Sequence, residues 1–432
     1  MCGVILNSIA RRNLVQLRGH TESSLLICTA QLVSLGLVSL IPLTLVLYRI
    51  IFASQPTLAA SVCRPAILLV CCALAMFWYG SHVSSVEHKL IRVVAVLCGA
   101  LLVTSLLATN PERALQEWIK LALMCVIAIA LCRPLVHNRN AMVLGASLVL
   151  AGAVFGILIV VIYVKYMSWA LPSYPATRVF KAVAMDEGGV PLNPLGFECV
   201  FTFLCGACLL RRTKLLWVVG LALVLISSAL TGSRAPISVF VLSAVVLLLL
   251  TGFRSRDKLL RVASVLGALA ILAGGVIAIS SATSLQLAEV TEGRWYVWSV
   301  ALHKFTVHPL WGNGYLSVED DPTYLSGGYH NEYLTALAEQ GIIGFCAVMY
   351  LFGFLLSCSW KLAFDPSCRN ANGKIVLFAC LFLLFRAVVE LPGLFGTAQG
   401  PADFLAYVFL AIAVSQVARS ERSGRATLNI PC

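Results

Sequence analysis

The sequence predicts an all-α polytopic membrane protein of about 12 transmembrane helices, with one large external loop that carries short amphipathic helices. Three observations predict it. Of the 432 residues, 60% are hydrophobic and 12% charged, against about 45–50% and about 25% in soluble domains. The apolar residues gather into runs near the length of about 20 residues that a bilayer core demands of a helix. No alternating strand pattern competes, and in lipid, where every backbone polar group needs an internal partner, such runs are satisfied as helices.

Bounded by charge, proline and glycine, the runs are 25–51, 65–81, 89–108, 114–133, 141–165, 192–210, 213–231, 236–252, 259–282, 341–360, 374–392 and 402–418. The first is too long for the 7–15-residue core of a cleavable signal and reads as an uncleaved span. An even number of spans puts both termini on one side. With the N-terminus inside, most of the 31 Lys and Arg residues fall in inner segments, among them Arg211, Arg212 and Lys214, the cluster Arg254, Arg256, Lys258 and Arg261, and Arg419, Arg422 and Arg425. That is the expected bias of cytoplasmic loops. The net charge of +12 therefore reads as topology, not as a nucleic-acid surface. The chain forms one integral membrane domain, 1–432, without internal repeats. Two loops long enough to fold over a substrate, 166–191 and 283–340, come out on the external face. In a bacterial inner membrane that face is the periplasm, which holds no ATP, so a reaction there needs a substrate that arrives already activated.

The 16 cysteines lie mostly inside apolar runs, where a thiol behaves as a small hydrophobe. Cys205 and Cys208 have C-x-x-C spacing but no second pair or nearby histidine to complete a metal site.

Several basic residues fall on the outer side against the topological rule, and an ionisable group within a span costs about 2.5–3.5 kcal/mol unless it snorkels or faces a polar cavity. Arg234, in "LTGSRAPIS", sits in a tight turn, with Ser233 as a cap and Pro236 near the next helix start. It reads as a snorkelling arginine or as an anion site, since a guanidinium beside a helix N-terminus can bond phosphate oxygens with two parallel donors. Arg294, in "EGRWYVWSVALHKFTVHPLWGNGY", opens a segment whose Trp295, Tyr296, Trp298 and Trp311 suit a lipid interface; it too is a candidate phosphate clamp. His330, in "GGYHNEYLTALAEQGIIGF", is either a structural histidine or a proton acceptor. It stands before a predicted amphipathic surface helix, with Leu334, Leu337 and Ala338 on one face, that Gly341 stops where the next span begins. Arg386 and Glu390, in "LFRAVVELPG", either neutralise each other as an i,i+4 pair or line the same polar cavity. Glu198 is a further candidate for it.

The run "HNEYLTALAEQGIIG", with His330, Asn331, Gly341 and Gly344 at their spacing, together with "TGSRAP" and "GRWYVW…HPLWGNGY" upstream, resembles the bacterial O-antigen ligases and their wider superfamily. That superfamily includes O-antigen polymerases and protein O-oligosaccharyltransferases. The resemblance is loose over the whole architecture and detailed over 228–344. It implies a glycosyltransferase of lipopolysaccharide biosynthesis in the bacterial inner membrane, with cytoplasmic termini and a periplasmic active site. The donor it implies is an undecaprenyl-pyrophosphate-linked glycan, and the acceptor a sugar hydroxyl of lipid A-core. Arg234 and Arg294 would hold the donor pyrophosphate and His330 would serve the acceptor, with Asn331, Arg386, Glu390 and Arg178 as further cavity residues. It implies no cofactor and no metal, and an inverting displacement.

Three rival readings carry different marks. A polymerase would take a second lipid-linked glycan as acceptor, and "RVFKAVAMDEGG", with Arg178 and Gly189, is similar to an arginine-and-glycine loop of that class. A protein-glycosylating enzyme usually carries a substantial further C-terminal region, whereas this sequence ends soon after its last apolar run. A secondary transporter would place polar groups near the midplane of both halves, whereas the polar residues here collect at the outer face of the second half.

Overall fold

A computed structural model describes residues 84–167, 192–210, 214–231, 234–280, 284–314, 329–368, 372–389 and 401–428. Every regular element among them is helical. The helices are α1 (Ser85–Leu106), α2 (Pro111–Val136), α3 (Asn138–Met167), α4 (Leu192–Leu209), α5 (Lys214–Thr231), α6 (Arg234–Arg254), α7 (Lys258–Ser280), α8 (Ser284–Val307), α9 (Glu332–Phe364), α10 (Gly373–Val389) and α11 (Pro401–Leu428). Each apolar run from 89 onward coincides with one of them; the runs 25–51 and 65–81 lie outside the described residues. Among the described residues six helices, α1, α2, α3, α6, α9 and α11, are long and apolar enough to cross a membrane.

Local chemistry sets the helix starts. Ser84 caps α1: its hydroxyl accepts the Glu87 N–H at 3.3 Å while the Glu87 carboxylate accepts the Ser84 N–H, a capping box. Asn110 caps α2, with Pro111 at the first helical position, where its missing N–H leaves nothing unpaired.

The packing centres on α11. From Phe404 to Ala418 every residue is buried, so this stretch is surrounded by protein, and its polar Ser415 and Gln416 donate to the Ile412 and Cys208 carbonyls. It packs on α1, α2, α4 and α9, and Phe409 meets Phe201 of α4 at 5.6 Å between ring centroids, while Phe201 stacks on Phe382 of α10 at 6.1 Å. Helices α3 and α4 pack extensively and meet through glycines. A Cβ on Gly206 would stand 2.7 Å from the Gly145 carbonyl oxygen, and one on Gly152 3.0 Å from the Phe203 nitrogen. Small residues let membrane helices approach in this way.

Contacts between successive loops sort the bundle into two ends. At one, Arg419 donates to the Val136 carbonyl at 3.0 Å and to Asn138 Oδ1 at 3.1 Å, and also to the Leu135 carbonyl. Asn372 and Gln416 both donate to the Cys208 carbonyl, Lys361 pairs with Glu421 at 3.0 Å, and the Arg254 guanidinium lies 5.4 Å from the Trp360 ring centroid. At the opposite end the α1–α2 turn meets the segment after α8, with Thr109 Oγ1 donating to the Asn313 carbonyl at 2.8 Å. Arg254, Lys361 and Arg419 thus share the first end.

Arg419 caps the C-terminus of α2, where carbonyls have no partner within the helix. Replacing Arg419 with Met is expected to remove about 2 kcal/mol and to lower the thermal unfolding midpoint in detergent. An unchanged midpoint would show that the three bonds contribute nothing to stability.

Candidate functional site

The second end is built around a break in α9. Gly341 has φ 60° and ψ −166°, which interrupts the helix between an N-terminal arm, 332–340, and the long apolar arm that follows. In an unbroken helix Ile342 and Ile343 would donate to the carbonyls of Ala338 and Glu339. Here they donate to Pro309 at 2.8 Å and Leu310 at 3.2 Å, while the Ala338 and Glu339 carbonyls accept from Asn313 at 3.1 Å and Gly314 at 2.7 Å. The segment 308–314 thus crosses the break and exchanges hydrogen bonds with it two for two. Asn313 adds side-chain bonds to Ala338 and to the Lys304 carbonyl.

This crossing requires glycine. Gly312 has φ 73° and Gly341 φ 60°, in the left-handed region that side chains disfavour. A Cβ on Gly312 would stand 2.4 Å from the Glu339 carbonyl, and one on Gly341 2.5 Å from that of Leu310. Gly312 of "WGNG" and Gly341 of "GIIG" are the two sides of one backbone contact.

His330 sits just ahead of the N-terminal arm. Asn331 caps the arm, its Oδ1 accepting the Leu334 N–H at 3.0 Å, and its own carbonyl accepts the Thr335 hydroxyl at 2.8 Å. His330 has φ 49°, the one non-glycine residue with positive φ among the described residues. It is half-buried, with Nδ1 enclosed.

Two ties fix the turn. On one side, Trp298 of α8 donates its indole N–H to the Tyr329 carbonyl at 3.0 Å, and Tyr329, 2% exposed, packs with Ala301 and Ala338. On the other, the Tyr333 hydroxyl donates to the Leu384 carbonyl of α10 at 3.0 Å. Two residues further along α10, the buried Arg386 guanidinium lies 4.9 Å from the Phe197 ring centroid of α4. The neighbouring Gly196 faces Thr231 and Pro236, which bracket the α5–α6 turn.

These contacts place the expected residues. Arg294 is half-buried and lies on α8 one turn before Trp298. The sequence suggests that Arg294 opens a short segment; instead it lies well inside one 24-residue helix. Arg234 is the first residue of α6, two residues before Pro236, which faces Gly196. Arg294, Arg234, His330, Asn331 and Arg386 therefore share the second end, as does the buried Glu198 at the start of α4. Arg178 and Glu390 lie outside the described residues. Among the described residues no group of three or more His, Cys, Asp or Glu side chains converges to hold a metal ion.

The arm differs from the amphipathic surface helix expected. Glu332, Thr335 and Glu339 are buried, Glu332 only 1% exposed, and Leu334 and Leu337 are half-buried. The arm is covered on several sides because α9 packs against α1, α8 and α10. Beside it, burial pushes the Lys304 ammonium below its usual range, and the Glu339 carboxylate opposes that shift. Sequence reading missed Glu332, Tyr333 and the bond from Trp298; the partners of the last two are backbone carbonyls, which no side-chain pattern marks.

Gly341→Ala is expected to destabilise the protein by more than about 3 kcal/mol, since it adds backbone strain to a clash with main chain. Gly353→Ala, where nothing lies within 4 Å of the added Cβ, is expected to be tolerated. Thermal unfolding of the two variants in detergent checks the contrast, and equal midpoints would contradict the crossing.

A family described as O-antigen ligase matches residues 203–349, roughly a third of the 432 residues. The match takes in Arg234, Arg294, His330 and both glycine-bearing sides of the crossing, and leaves out Glu198 and Arg386. No curated protein matches the chain. Over the stretch that builds this end of the bundle, the chain resembles the O-antigen ligase superfamily.

Proposed function

We propose that the protein is an O-antigen ligase-type glycosyltransferase. It moves a glycan from undecaprenyl pyrophosphate to a sugar hydroxyl of lipid A-core at the periplasmic face of the bacterial inner membrane. One observation carries the reading: the O-antigen ligase match spans 203–349, and Arg294, His330, Gly312 and Gly341 of that stretch lie toward one end of the bundle. The other end collects Arg254, Lys361 and Arg419, a bias that cytoplasmic faces carry, and this supports an external histidine end.

The donor carries its own driving force, since pyrophosphate is a stable anionic leaving group. The acceptor hydroxyl oxygen bonds to the anomeric carbon of the glycan as the bond from that carbon to the phosphate oxygen breaks. Undecaprenyl pyrophosphate leaves with the electron pair, and His330 takes the hydroxyl proton. With Nδ1 enclosed, Nε2 is the nitrogen that meets the acceptor. Arg294 and Arg234 stabilise the charge that grows on the leaving phosphates, which accelerates the reaction because it is stronger in the transition state than in the ground state. A single direct displacement inverts the anomeric configuration. With guanidinium groups offsetting the leaving charge, transfer is expected to continue in a metal chelator. A polymerase would run the same displacement onto a second lipid-linked glycan.

Reconstitution with undecaprenyl-pyrophosphate-linked glycan tests the reading, with lipid A-core and a second lipid-linked glycan offered as separate acceptors. Transfer to lipid A-core is expected to fall about 10²–10⁴-fold in His330→Ala and about 10²–10³-fold in Arg294→Ala, with both variants folded. Parental transfer by His330→Ala removes the proton-acceptor role. Elongation of the lipid-linked glycan without transfer to lipid A-core makes the protein a polymerase, and a requirement for added Mg²⁺ contradicts the clamp by arginines alone.

A further inference from the structure

We propose that Trp298 is a positioning residue for His330, acting through the backbone and without touching substrate; the proposal rests on the proton-acceptor role given to His330 above. The indole Nε1–H donates to the Tyr329 carbonyl at 3.0 Å. That carbonyl belongs to the peptide joining Tyr329 to His330, so the bond holds the plane against which the φ of His330 is set. The angle is 49°, a left-handed conformation that costs a residue with a side chain about 1–2 kcal/mol and persists only where its surroundings impose it.

The surroundings do so from both sides. Ahead of His330, Tyr329 is 2% exposed and packed between Ala301 of α8 and Ala338 of the arm, so the carbonyl cannot swing away from the indole. Behind it, Asn331 is committed as the N-cap of α9, its side chain bonded to the Leu334 N–H. Relaxing the φ of His330 would disturb one of these commitments, and the Trp298 bond is the hydrogen bond among them that another helix makes.

That helix is α8, and Trp298 follows Arg294 by four residues, so the two lie on one face, a turn apart. A single rigid element therefore carries the arginine assigned to the leaving phosphates and the bond that aims the proton acceptor. The arginine and the turn of His330 are thereby referred to the same helix. In-line displacement depends on their relative placement, since reacting groups held near attack distance supply much of the rate enhancement.

The test uses the full chain in proteoliposomes with undecaprenyl-pyrophosphate-linked glycan and lipid A-core. Trp298→Phe keeps an aromatic ring and removes the N–H. Benzothienylalanine at the same position keeps the bicyclic shape as well, and serves where phenylalanine leaves the protein poorly folded. Either change is expected to lower turnover about tenfold, the loss of one hydrogen bond's worth of aim, with the KM for donor moving less than about twofold. Trp295→Phe, which alters an indole 70% exposed, is expected to leave turnover unchanged. In a His330→Ala background the Trp298 change is expected to remove nothing further, because the group it positions is gone. Parental turnover in the Trp298 variants, or the same fold-loss with and without His330, overturns the proposal. Parental transfer by His330→Ala alone would instead overturn the functional reading on which it rests.

Discussion

Inside a bilayer a helix cannot be broken without new partners for the backbone groups it exposes, because an unpaired amide there costs several kcal/mol. At Gly341 the partners come from the segment after α8: Pro309 and Leu310 accept from Ile342 and Ile343, and Asn313 and Gly314 donate to Ala338 and Glu339. Break and crossing segment satisfy each other, and neither is stable alone. The rest of the histidine end follows from this exchange. It holds the C-terminal end of α8 against the arm of α9, which brings Trp298 to the Tyr329 carbonyl and sets Arg294 near the turn of His330.

The exchange also separates two jobs within α9. Beyond Gly341 the helix is an apolar span packed on α10 and α11, held by the same forces as the rest of the bundle. Before it, the short arm buries Glu332, Glu339 and Gln340, groups that a lipid-facing helix could not carry. A continuous straight helix would extend that arm along the direction of the span. The break lets the chain place a polar, protein-covered segment at the membrane border, with a histidine at its tip and a neighbouring helix close enough to hold it.

Most of the helical framework was legible in the sequence because it depends on local quantities. Apart from α8, apolar runs of bilayer length gave the helices from 89 onward, while the caps Ser84 and Asn110, which need only the next few residues, were not singled out. The break at Gly341 was half legible: glycine after the arm marked a stop, but its partners lie some thirty residues upstream, and no periodicity links "WGNG" to "GIIG". Helix α8 was harder still. Glu289, Glu292, Gly293 and Arg294 interrupt any apolar pattern, so the 24-residue helix of Ser284–Val307 was read as part of a loop with a short interfacial segment. His330 and the arginines were singled out by residue type and by a spacing resembling a known family, and the structure sets them at one end of the bundle. Trp298 and Tyr333 were not, since what they bind is main chain.

The central claim is that the leaving pyrophosphate and the proton acceptor meet at the end of the bundle where segment 308–314 crosses α9. A cryo-EM structure of the full chain with bound undecaprenyl pyrophosphate tests it most directly. The account predicts pyrophosphate density within hydrogen-bond distance of Arg294 and on the side that His330 faces. Density at the opposite end instead, among Arg254, Lys361 and Arg419, would contradict it.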